Sequence, residues 1–141
     1  MKLLLAAAAA ALPATTPPPA AMPIEVVVSG IRSDAGRIHV DICPEATFLK
    51  KCPYSAEVAA ARGTVTVVLR GVPPGRYAVQ AFHDANANGD LDQGIFGIPK
   101  EGIGFTNDAM ARLVRPKFSV AAFDHGGSAQ RVSVLLRYHL G

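Results

Sequence analysis

The chain has 141 residues, half of them hydrophobic, with 14 Lys and Arg against 11 Asp and Glu and a formal net charge of +3. That length suits one domain rather than several. The arginines are spread singly and no stretch interleaves basic with aromatic residues, so the weak positive balance gives no basis for nucleic-acid binding.

Met1 and Lys2 give a minimal positive start, residues 3–12 are an unbroken run of leucine and alanine, and residues 13–23 are dominated by small residues and proline. This order predicts a secretory signal and leader over residues 1–22, followed by one domain over residues 23–141. The apolar run is too short to span a bilayer, so no stable membrane span is expected once the leader is removed. A buried helix or a membrane anchor is the competing reading. Ala11, Ala14 and Ala21 all qualify as the residue before the cut, and no cysteine beside the run supports a lipid anchor. The expected location is the periplasm or the medium.

Past the leader the apolar periodicity is that of strands. Residues 24–28 are a β-branched run, and residues 36–43 alternate strictly, with Ile38, Val40 and Ile42 on one face. Residues 32–36 between them have the composition of a hairpin turn, which predicts that the first two strands pair antiparallel. Cys43 and Cys52 are the only cysteines; in an exported chain they predict a disulfide pinning the loop between them. A metal role for the pair lacks further ligands.

Residues 55–62 read as a brief helical turn, and residues 64–69 as a strand rich in valine and threonine. Pro74 and Gly75 suit the centre of a type II turn. Residues 76–83 alternate again, with Tyr77, Val79, Ala81 and His83 sharing a face, and residues 130–138 form the last strand. The stretch from 84 to 127 is too long for one structureless loop, so short strands are expected near Phe105 and over 118–122, with a helical turn around 108–114. Many short strands and no long helix argue for an all-β fold, a small antiparallel β-sandwich with a long ordered loop insertion.

The segment from Asp84 carries the most chemistry. Asp84, Asn86 and Asn88 place side-chain oxygens at alternate positions before Gly89, matching the start of a calcium loop. Asp90 offers its carbonyl and Asp92 its carboxylate. The twelfth position is Ile95 instead of the bidentate glutamate of an EF-hand, and the flanks are not helices, so a last ligand has to come from elsewhere; Glu101 is the nearest. The other reading is a plain Asn-Gly hairpin turn with a solvated Glu101. Magnesium, with its strict octahedral shell, fits less well.

Catalytic patterns are weak. No His-x-His, H-E-x-x-H or G-x-S-x-G occurs, so His39, His83, His125 and His139 lack a spaced metal partner and read first as structural residues. An extracytoplasmic enzyme using the His83/Asp84/Glu101 region and a carrier of a small apolar ligand stand as alternatives to a non-enzymatic binding or envelope module.

Two adjoining blocks carry a resemblance. Residues 73–84 with Asn86, Asn88, Gly89 and Asp92, and then residues 96–107, resemble the centre of a bacterial family of exported proteins, domain of unknown function 2141, over roughly residues 24–139. The resemblance implies a small extracytoplasmic domain without an established activity. The Pro-Gly-x-Tyr portion is also similar to prealbumin-like and carboxypeptidase-regulatory β-sandwich modules, which implies a structural role for Tyr77 at the end of the sandwich.

Overall fold

The computed structural model describes residues 22–88, 101–110 and 115–138. Its strands are β1 (Ile24–Ile31), β2 (Arg37–Cys43), β3 (Tyr54–Ala59), β4 (Gly63–Leu69), β5 (Gly75–Asp84), β6 (Ile103–Phe105), β7 (Ala122–His125) and β8 (Gln130–Leu135). A 3₁₀ turn covers Glu45–Thr47, and a single helical turn, α1, covers Phe118–Ala121. One sheet has the order β4-β1-β8; the other has β3-β2-β5-β6, with β7 also on β5. The two sheets pack into a β-sandwich.

Alternation fixes which faces meet. Ile24, Val26 and Val28 of β1 are fully buried, as are Ile38, Val40 and Ile42 of β2, and these rows join Val67, Leu69, Val79, Ala81 and Val134 in the main core. Each buried side chain of this size contributes about 1.5–3 kcal/mol of hydrophobic stabilisation before the entropy of ordering is set against it. Because both rows are fully apolar, β1 and β2 each take the centre of a sheet and face one another across the core. They therefore do not form the expected hairpin: β1 pairs with β4 and β8, and β2 with β3 and β5. The connection crosses between sheets, with Gly30 and Gly36 at φ +75° and +71° taking the bends.

Other expectations shift in the same way. Residues 54–59 form a strand, not a helical turn, because Ile38 and Val40 of β2 supply partners in Val58 and Ala56. The segment expected as a strand over 118–122 is the turn α1, and the strand begins at Ala122. The helical turn around 108–114 falls partly outside the described residues; residues 107–110 are a turn. The fold is not wholly antiparallel, since β1 and β8 run parallel from Ile24↔Gln130 to Ser29↔Leu135. Gly71, at φ +75°, makes the bend before β5, while Gly75 already belongs to β5 and sits in contact with the Tyr77 ring. Tyr77 is buried, donates its hydroxyl proton to the Pro73 carbonyl at 2.7 Å and meets Tyr54 edge-on. Burial raises the pKa of its hydroxyl.

A smaller apolar cluster covers the other side of the β5–β6 pair. Ala78, Phe105 and Ala121 are buried there, with Phe48, Leu49, Ile103 and Phe118 against them. Phe48 comes from the loop closed by the Cys43–Cys52 disulfide, which is present with Cα atoms 5.1 Å apart. Among the described residues no helix is long and apolar enough to cross a membrane.

Candidate functional site

β5 delivers the candidate site at its C-terminal end. His83 and Asp84 are consecutive strand residues, so they point to opposite faces. His83 faces the core side, beside Ile38. Its Nε2 donates to the Ala35 carbonyl at 2.6 Å, and its Nδ1 is hydrogen-bonded to the Tyr138 hydroxyl at 2.9 Å. The same hydroxyl accepts the Arg32 N–H, and the Arg32 guanidinium lies 4.5 Å over the Tyr138 ring. Burial outweighs that cation and pushes the Tyr138 pKa up. His83 is thus tied into the end of the core, and the described contacts do not bring it to the carboxylates as an acid–base partner.

Asp84 is on the outer face and only 2% exposed. Its carbonyl accepts the Ala87 N–H at 3.2 Å, folding residues 84–87 into a turn with Ala87 at φ +53°. The Asp84 Oδ1 and Asn86 Oδ1 both receive the Asn88 N–H, at 3.1 and 3.3 Å. The Asp84 and Asn86 side-chain oxygens thus meet at the Asn88 N–H on the inside of the turn. Gly36 makes the tight approach feasible, since a Cβ there would overlap the Asp84 and Ala85 carbonyl oxygens.

Glu101 reaches the same place from the segment that leads into β6. The register Phe82↔Ile103 continues through a bond from the His83 N–H to the Gly102 carbonyl, 2.8 Å, which sets Glu101 across from Asp84. The Glu101 Oε2 accepts the Ala85 N–H at 2.6 Å, and the residue is 9% exposed. It is not the solvated glutamate of the plainer reading. Asp84, Asn86, Asn88 and Glu101 are thus gathered at one end of the sheet, an oxygen-only donor set of the kind calcium takes. Gly89, Asp90 and Asp92 lie outside the described residues, as do Ile95 and His139. Among the described residues no three His, Cys, Asp or Glu side chains form a metal-binding group.

A second polar cluster lies on the outer face of the same sheet. His39 Nε2 is 2.9 Å from Asp41 Oδ1 and its Nδ1 is 3.1 Å from Glu57 Oε1, with the Phe82 ring centroid 4.9 Å away. The bond to Asp41 is the largest influence raising the His39 pKa above its ordinary 6.5; burial opposes it and Glu57 adds to it. Glu57 in turn is lowered, first by His39 and then, against its own desolvation, by Arg37 at 2.8 Å. Gln80 carries the network onward, donating to Asp41 Oδ2 and the Lys50 carbonyl and accepting the Leu49 N–H. The disulfide loop is thereby tied to the sheet. The signal for His39 and Asp41 was present in their positions on the polar face of an alternating strand; Glu57 was hidden in the segment expected as a helical turn.

With this geometry in place, a family model described as an uncharacterized protein conserved in bacteria, DUF2141, matches residues 26–133. The chain belongs to that family. The match covers both sheets almost end to end and includes the turn at Asp84, Glu101 and the His39 cluster. No curated protein and no solved structure matches the chain.

Proposed function

We propose that this member of the family is an exported, non-enzymatic β-sandwich module whose end, built from Asp84, Asn86, Asn88 and Glu101, binds calcium. The observation that carries the reading is that two buried carboxylates serve one short turn, Glu101 accepting the Ala85 N–H and Asp84 accepting the Asn88 N–H. Asn86 and Asn88 supply amide oxygens beside them, and Asp90 and Asp92 are the further ligands the sequence pattern offers. Hard oxygen donors of mixed charge suit calcium at about 10⁻⁴–10⁻³ M, the range of extracellular modules. Export is supported by the three-part leader and by the Cys43–Cys52 disulfide.

The test is thermal unfolding in chelator, in calcium and in magnesium. A ligand at a hundred times its Kd stabilises the folded state by about 2.7 kcal/mol, so roughly 10 mM calcium raises the midpoint by about 5–10 °C. Magnesium gives less. Asp84→Asn and Glu101→Gln each reduce the difference between calcium and chelator, whatever their effect on the apo midpoint. A midpoint that ignores calcium through the millimolar range overturns the proposal.

A further inference from the structure

The two sides of the sandwich are finished differently. On one side β8 is bridged to the facing sheet by Thr106↔Val134 and Ile103↔Arg137. On the other, β4 is the outermost strand of its sheet; β3 of the facing sheet comes near it, but among the described residues its only ladder is with β1. An outermost strand presents a row of N–H and C=O groups to whatever extended chain meets it, and proteins usually blunt such edges with lysine, proline or a bulge. β4 has none of these. Its sequence is Gly-Thr-Val-Thr-Val-Val-Leu, and Val65 to Leu69 pair one-for-one with β1; the register irregularity between Val28 and Ile31 lies beyond that stretch, near Gly63. Val67 and Leu69 are buried, while Thr64, Thr66 and Val68 are exposed, Val68 by 41%.

Charge appears only just beyond the two ends. Arg62 and Arg70 flank β4, both are exposed, and neither has an ion-pair partner among the described residues. Those arginines decide the occupant. A full-length two-fold pairing of β4 with a second copy, centred on Thr66, would set Arg62 of each copy against Arg70 of the other. A parallel self-pairing would set like against like as well. Directly opposed like charges across a strand pair are destabilising.

We infer that the β4 edge is a docking site for an extended strand of another protein, with an uncharged β-branched centre and acidic residues at both ends. The arginines are eight residues apart, so the acidic residues of the partner lie about 27 Å from each other in extended chain. Backbone pairing supplies affinity and the two terminal charge pairs supply selection.

The test uses two synthetic peptides of alternating valine and threonine, one capped at each end by aspartates and one by lysines. Titrated into the ¹⁵N-labelled protein, the aspartate-capped peptide shifts the amide signals of residues 63–69 and slows their hydrogen exchange. It binds about tenfold more tightly than the lysine-capped peptide. Added salt narrows that gap. In R62E/R70E the preference reverses, and the melting midpoint reports that the variant is folded. If neither peptide binds, if the shifts fall away from β4, or if salt and charge reversal leave the preference unchanged, the inference is wrong. A concentration-dependent dimer that pairs through β4 and resists the aspartate-capped peptide also overturns it, by making a second copy the occupant.

Discussion

Replacing both cysteines in C43A/C52A tests how much the small pinned loop stabilises the fold. The bridge closes a sequence separation of nine residues, for which the chain-entropy relation gives about 2.6 kcal/mol at 25 °C. Cys43 is fully buried and Cys52 is 7% exposed, so losing the two sulfur atoms adds a packing loss of about 1 kcal/mol. The expected total is roughly 3–4 kcal/mol. Urea unfolding at neutral pH measures it: at the slope of a domain this size, the midpoint falls by about 2 M. The slope itself rises, because an unfolded chain without the link exposes more surface. Phe48→Ala with the disulfide intact separates the contacts of the loop from its closure, removing a half-buried ring from between Phe105 and Phe118 at about 1–2 kcal/mol. A loss below about 1 kcal/mol in the double variant, with an unchanged slope, would refute the closure reasoning.

Three further outcomes follow from contacts already described. His39 has a folded pKa raised above 6.5, so its contribution is complete below that value and is lost as pH rises through the raised one; the urea midpoint of the protein over His39→Gln is therefore greatest in mild acid and narrows towards alkaline pH, and a gap that widens with pH would sink the assignment. Gly36→Ala, at φ +71° and against the Asp84 carbonyl, destabilises by more than about 2 kcal/mol in chemical denaturation, whereas a neutral result means that β2 and β5 part easily beneath the Asp84 turn. Tyr77→Phe deletes the hydroxyl bond to Pro73 and costs about 1 kcal/mol; a cost near zero places that tyrosine there for packing alone.

Strands β1, β2, β4 and β5 were legible because apolar alternation or β-branched runs mark them, and the turn at Asp84 was legible because Asx residues recur at alternate positions there. β3 was not. Its inward positions are Tyr54, Ala56 and Val58, and alanine gives too little apolar contrast to set a period of two against a local helical preference. Pairing was obscured for a different reason: residues 32–36 carry hairpin composition, yet β1 and β2 each have one fully apolar row, and those rows share the core from opposite sheets. Of the site, Asp84, Asn86 and Asn88 could be read locally. The approach of Glu101 and the space left by Gly36 come from register and backbone proximity across long separations, which no short window contains.

The parallel pairing of β1 with β8 has a mechanical consequence. The chain enters β1 at Ile24, beside Gln130, and leaves β8 at Leu135, beside Ser29. A force drawing the two chain ends apart therefore slides these strands along each other in opposite directions, loading their ladder in shear so that its bonds resist together. Were the two antiparallel, with both ends leaving on one side, the same force would peel the bonds one at a time. A single-molecule pull through the termini therefore loads the β1–β8 ladder in shear.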